Sequence, residues 1–350
     1  AFKNIETVTS LLKQYKDILL AFMLIVFSMI LSSVLGVNLA DSLSQTMKFI
    51  YRYIFLFIVL LYFFKMSFFT RKFVITMIVV TCTIYAMDGL YQYFTGYDML
   101  KNIPIMYGGL TGPLFNRNIF GFIMAIGAIV SFALLFSNQQ SKLLKLLLIG
   151  IFLLILFNLI FSLARAPWVF FMVYALCFLV YMLKQSLLSK QHLYLIFAVI
   201  SLAILVFLSN DELMVRFNQL IEGHTSKRFD LWMDTVPFIL QHLWFGYGID
   251  TFTIVVTDKF SGLHNAFIEI ALFLGLVGLL VYFNFLRVIF MEIYKINQYS
   301  YGFFLLGFLV LLQFDGSLVY SKLNLSVLVI LMFLIYSHRF EKVKVDDENC

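Results

Sequence analysis

Apolar runs long enough to cross a lipid bilayer recur from one end of this 350-residue chain to the other. A helix needs about 20 consecutive apolar residues to span the hydrocarbon. Ten stretches approach that length: residues 17–37, 47–64, 72–95, 117–137, 142–162, 166–184, 192–209, 264–290, 301–320 and 322–337. Apolar residues make up 62% of the chain and charged ones 13%, with Phe at 42 positions, more apolar surface than a soluble domain of this size can hide from water. Lipid offers the backbone no hydrogen bonds, so a spanning segment must satisfy its own polar groups as a helix. The expected fold is all-α: a polytopic membrane protein of about ten helices. It divides into N-terminal membrane helices over 1–209, an outer segment 210–263 with an amphipathic helix, membrane helices over 264–337 and a tail 338–350.

An even number of spans puts both termini on one side, and basic residues choose which. Lys3, Lys13, Lys16, Lys65, Arg71, Lys72, Lys142, Lys145, Lys184, Lys190, Arg287, Lys295, Arg339, Lys342 and Lys344 all fall on the terminal side. That side is expected to be cytoplasmic. Segment 210–263, where seven acids face four bases, then lies outside. The net charge of +6 mostly reflects this orientation signal and gives no support to a nucleic-acid partner. Cys82 and Cys177 fall inside spans and Cys350 at the cytoplasmic end, so neither a structural disulfide nor a zinc site is expected. The chain opens on Ala1 without a cleavable signal, and the expectation is that it has been trimmed or that its numbering omits a segment. Asp346, Asp347 and Glu348 read as a solvated end.

The charges kept close to lipid carry the functional argument, because they persist only where something offsets their cost. Arg52, Asp88, Arg117, Arg165, Glu269, Asp315 and Lys322 all map near the outer face. A coupled transporter would need ionisable or broken-helix sites near the midplane; this distribution points instead to chemistry at the outer membrane–water boundary. Arg52 and Lys322 also fit as arginine and lysine snorkelling to headgroups, with Asp88 and Asp315 pairing with them. Arg117 stands between Asn116 and Asn118, either of which can cap a helix, and Gly121 permits close packing. Arg165 lies in a tight turn just before Pro167.

In the outer segment, residues 225–242 read as an amphipathic helix lying in the interface, capped by Thr225 or Ser226. Phe229, Trp232, Met233, Val236, Phe238 and Leu240 supply its apolar surface, and Trp232 and Trp244 suit the aromatic belt. Lys227 and Arg228 occupy the first turn, where the helix dipole disfavours cations unless an anion is near, which hints at phosphate. The alternative is an Arg228 paired with Asp230 or Asp234. Gly246-Tyr247-Gly248 reads as a flexible turn back to the membrane. His264, freed by Gly262 and followed by Asn265, reads either as a cap or packed residue or as a neutral imidazole able to take a hydroxyl proton.

Four blocks carry a resemblance. They are Gly112-Pro113-Leu114-Phe115-Asn116-Arg117-Asn118; Ser162-Leu163-Ala164-Arg165-Ala166-Pro167-Trp168; Ser226-Lys227-Arg228-Phe229-Asp230-Leu231-Trp232 leading to Phe245-Gly246-Tyr247-Gly248; and His264-Asn265-Ala266-Phe267-Ile268-Glu269 leading to Gly275-Leu276-Val277-Gly278. In order, spacing and topology they resemble the bacterial O-antigen ligase and polymerase superfamily over about residues 110 to 285. The resemblance implies a glycosyltransferase in the bacterial inner membrane, both termini cytoplasmic and its site at the periplasmic face. Its donor would be a glycan on undecaprenyl diphosphate and its acceptor the lipid A core oligosaccharide, with membrane lipid as the surrounding partner. By position, Arg165 and Arg228 match the residues that engage the diphosphate and His264 the one that activates the acceptor. Arg117 is added on the residues' own evidence, with Asn265, Glu269 and Asp88 in support.

The superfamily commonly has more spans, so an N-terminal pair is expected to be missing or merged. One large outer segment instead of two favours a ligase over a glycan polymerase; an O-linked protein oligosaccharyltransferase shares the blocks, and a transporter of lipid or polysaccharide is the reading from another class. No compact outer carboxylate pair is evident, since Asp211 and Glu212 adjoin the seventh stretch away from the blocks. Neither a metal nor another cofactor is therefore expected, guanidinium groups taking the place of a cation.

Overall fold

The computed structural model describes residues 15–66, 70–106, 108–137, 141–222, 228–257, 262–314 and 317–348. These are 79% helical and contain no strand. In chain order the helices are α1 (Lys16–Leu35), α2 (Leu39–Lys65, with a π turn at Ile50–Ile54), α3 (Arg71–Thr95), α4 (Arg117–Leu135), α5 (Lys142–Phe161), α6 (Arg165–Lys184) and α7 (Lys190–Leu208). There follow α8 (Asp211–Ile221), α9 (Arg228–Gln241), α10 (Phe252–Val255), α11 (Ala266–Ile296), α12 (Tyr299–Leu311) and α13 (Lys322–Glu348). Eight of them, α1 to α7 and α11, are long and apolar enough to cross a membrane; α12 and Lys322–His338 are shorter apolar segments. Helix α7 buries none of its described side chains although it is apolar all round, so only lipid can solvate it.

Several boundaries differ from the sequence expectation. The second span starts at Leu39, eight residues before the expected 47, because Asn38 caps it by accepting the Asp41 amide N–H at 3.2 Å. The stretch 301–320 is helical only to Leu311, and α13 continues through the acidic tail to Glu348. The outer segment contains α8 and α10 besides the expected amphipathic helix. Thr225 and Ser226, the expected caps, and Asp315 lie outside the described residues.

The chain forms two compact units. The first comprises Ala1–Arg71, Thr225–Gly302 and Leu312–Cys350; the second comprises Lys72–His224 and Phe303–Leu311. In the second unit α4 packs against both α5 and α6 through small residues. Gly127 meets Cys82, and Gly121 lies against the Ser162 hydroxyl, the Ala164 methyl and Pro167, approaches that a β-carbon would block. Asn158, buried in α5, donates to the Ala86 carbonyl at 2.9 Å and ties α5 to α3.

In the first unit α11 is packed against α1, α9 and α13, and it is not the continuous span expected over 264–290. Gly275 breaks it, at φ 66° and ψ −165°. The backbone groups released by the break are taken by residues 243–248. Tyr247 and Gly248 donate to the Leu272 and Phe273 carbonyls, both at 3.0 Å, and the Leu276 and Val277 amides donate to Leu243 and Trp244 at 2.8 and 3.2 Å. The Ser32 hydroxyl of α1 also donates to Phe273. A β-carbon on Gly246 would overlap the Phe273 carbonyl, and one on Gly275 would overlap the Trp244 and Phe245 backbone. Gly246-Tyr247-Gly248 is therefore not a flexible turn: it is buried and locked to the broken helix, which satisfies backbone that lipid could not.

Candidate functional site

In the second unit, the C-terminal end of α3 organises the loop that leads to Arg117. Asp88 and Gln92 are four residues apart and so share a helix face. Both are buried. Asp88 Oδ1 accepts the Met99 and Leu100 amides at 2.9 and 3.2 Å, so these bonds go to main chain. Gln92 Oε1 accepts the Thr111 and Gly112 amides, both at 2.9 Å, while its Nε2 donates to the Ile103 carbonyl at 3.0 Å. Sequence reasoning missed Gln92, because a glutamine in an apolar helix gives no sign of which loop it will tie down. Asp98 closes the same loop on the Lys101 and Ile103 amides.

This clip threads Gly109 and Leu110 past the end of α5, where the Leu110 amide donates to the Phe161 carbonyl at 2.9 Å. A β-carbon on Gly109 would stand 3.1 Å from Arg117 Cδ and would overlap the Ser162 carbonyl. The start of α4 is thereby laid beside the start of α6. Arg117 is the first residue of α4, and Asn116 caps it by accepting the Asn118 and Ile119 amides at 2.8 and 3.2 Å. Arg165 is the first residue of α6, whose N-cap is Ala164, with no side-chain cap. Arg165 Nη1 donates to the Gln219 carbonyl in the last turn of α8 at 3.1 Å. Asp211 and Glu212, expected to lie away from the sequence blocks, begin α8, which packs on α6 beside Arg165, and the Glu212 carboxylate comes against Gly108. The structure brings Arg117 and Arg165 to two adjacent helix starts, where amide N–H groups and the helix dipole favour an anion.

In the first unit, Arg228, Asn265 and Ala266 converge on the turn 312–314. Arg228 is the first described residue of α9, and its Nη1 donates to the Phe314 carbonyl. Asn265 is the N-cap of α11, accepting the Phe267 and Ile268 amides at 3.1 Å each, and its Nδ2 donates to Gln313 Oε1 at 3.3 Å. The Ala266 amide donates to the Leu312 carbonyl at 2.9 Å. Trp232, expected in an aromatic belt, joins α9 to this loop: its indole N–H donates to the Leu263 carbonyl at 2.8 Å. His264 is half-buried and holds a left-handed backbone, φ 53°. Phe314 carried no signal in the sequence because its part is played by a main-chain carbonyl, and Gln313 carried none because only the fold brings its side chain to Asn265.

Glu269, one turn into α11, is 2% exposed. Its carboxylate accepts from the Ser317 hydroxyl, the Leu263 amide and the Tyr320 phenol, while Oε2 has no hydrogen-bond partner among the described residues. Burial first, and then the negative charges of Glu269 and Asp250, hold the Tyr320 phenol above its ordinary range, so it stays protonated and able to donate. Gly262 lies against this group, a β-carbon there standing 3.3 Å from Glu269 Oε1. Among the described residues, no three His, Cys, Asp or Glu side chains cluster as a metal would require.

Residues 150–283 match the family described as O-antigen ligase. The match contains Arg165, Arg228, His264, Asn265 and Glu269, while Asp88 and Arg117 precede it. Among curated proteins, none matches the chain.

Proposed function

We propose, from the O-antigen ligase family match over residues 150–283, that this protein is a membrane glycosyltransferase that moves a glycan from undecaprenyl diphosphate to the lipid A core oligosaccharide at the periplasmic face of the inner membrane. The observation that carries the reading is where the arginines stand. Arg117 and Arg165 are each the first residue of a helix, and Arg228 is the first described residue of another. The dipole makes that position unfavourable for a cation unless an anion arrives. A diphosphate is such an anion, and the planar guanidinium grips its oxygens through paired hydrogen bonds.

In the proposed reaction, His264 takes the proton of an acceptor hydroxyl as its oxygen attacks the anomeric carbon of the donor. The bond from that carbon to the phosphate oxygen breaks, and undecaprenyl diphosphate leaves with the electron pair. Arginine donors stabilise the charge that grows on the leaving oxygen. Chemistry of this kind asks nothing of the membrane midplane, which favours transfer over transport. The test mixes purified protein and lipid-linked glycan with either lipid A core or a second lipid-linked glycan. Extension of the core supports a ligase; extension of only the lipid-linked acceptor makes the protein a polymerase, and no transfer to either refutes the reading.

A further inference from the structure

We propose that Glu269 is a positioning residue for His264, acting through the Leu263 peptide; this rests on the reading of His264 as the acceptor-activating base. A non-glycine residue keeps a left-handed backbone only where its surroundings over-determine it. His264 is such a residue, and Leu263 just before it is held at both of its main-chain groups, the N–H of the peptide it shares with Gly262 and the carbonyl of the peptide it shares with His264. The Leu263 N–H is held by the Glu269 carboxylate and the Leu263 carbonyl by the Trp232 indole N–H, at 2.8 Å for the latter. On the other flank, Asn265 is fixed to the first turn of α11 and to Gln313.

The location of the carboxylate argues for a purpose beyond packing. Glu269 is buried at the membrane end of a long apolar helix, with one oxygen unpartnered among the described residues. The Glu269 carboxyl gathers the Ser317 hydroxyl, the Tyr320 phenol and the Leu263 amide onto one group, joining the turn after α12 to the loop that presents the imidazole. Gly262 lets the chain pass close over the carboxylate, so the grip is on the loop itself.

A double-mutant cycle tests this in the full-length protein, using the transfer reaction and a second readout, the rate at which diethyl pyrocarbonate modifies His264 in a background without His192, His224, His242 and His338. Glu269→Ala should lower kcat on the order of tenfold to a hundredfold, leave the donor KM nearly unchanged and alter the modification rate of His264. Glu269→Gln, whose amide oxygen still accepts the Leu263 N–H, should recover much of both. Combining Glu269→Ala with His264→Ala should be no slower than His264→Ala alone, because a residue acting through His264 has nothing left to act on. Losses that multiply in the double variant, or a Glu269→Ala protein with unchanged kcat and His264 reactivity, would overturn the proposal. Should Glu269→Ala fail to fold, Trp232→Phe loosens Leu263 at its carbonyl and is read identically. Full turnover in His264→Ala would remove the base assignment; the modification rates would then decide the positioning role alone.

Discussion

Two helices of the second unit begin with arginine side by side, yet the chain finishes one start and leaves the other open. At α4, Asn116 turns its side chain onto the Asn118 and Ile119 amides. At α6 the equivalent place belongs to Ala164, which has no side chain to offer, and the third residue is Pro167, which has no amide N–H to satisfy. The capped start needs no anion to be stable, and its arginine adds charge from the flank. The other, next to the Leu163 turn at φ 53°, has its dipole unmet by any cap of its own and carries the arginine that the family match contains. On the proposed function, the contrast separates a start that shapes the site from one that would receive the donor.

The largest effect should therefore come from α6. Arg165→Ala is expected to cut transfer on the order of 10²-fold or more with the protein still folded, and Arg165→Lys to rescue poorly because a point charge lacks the bidentate fork. Single-turnover rates on size-exclusion-pure protein measure this. Arg117→Ala should cost less and appear mainly as a higher donor KM. Equal losses at the two arginines would erase the distinction between the starts.

Supplying the missing cap sharpens the comparison further. Ala164→Ser gives α6 a hydroxyl that competes with an incoming anion, so the donor KM should rise several-fold while thermal stability holds or increases; an unchanged KM would mean that the α6 amides do not meet the donor. The reverse change, Asn116→Ala, should cost about 1 kcal/mol of stability, seen as a lower melting temperature in detergent, with little loss of turnover at permissive temperature. Last comes a change expected to do almost nothing. If arginines stand in for a cation, excess EDTA should leave turnover near the untreated value; loss restored by Mg²⁺ or Mn²⁺ but not by NaCl would reassign the arginines and point to a carboxylate such as Glu269 or Asp88 as a metal ligand.

Much of this contrast could be read before any fold was known. Asn116 and Asn265 stand one residue before helices that they do cap. Asparagine at a helix entrance announces itself, because the bond it makes is to residues two and three further on. The apolar stretches were legible for the same local reason. The partners that hold the site in shape were not. Gln92 answers Thr111 and Gly112, Trp232 answers Leu263, and Asn265 reaches Gln313, 48 residues away. The Gly246-Tyr247-Gly248 block misled for that reason: glycine near a loop looks like freedom, whereas here it is the absence of a β-carbon that another backbone requires.

The sequence by itself determined that this chain lives in lipid as helices, and which cations stand at helix entrances, because hydrophobic length and capping are written in neighbouring residues. Only the tertiary structure decided that α11 breaks at Gly275 onto residues 243–248, that Arg228 and Asn265 meet the turn 312–314, and that Glu269 meets the Leu263 amide. All of these bonds except the Asn265–Gln313 pair have a main-chain group at one end or both, and every residue carries those groups alike. No composition or period marks which of them will meet until the helices have packed.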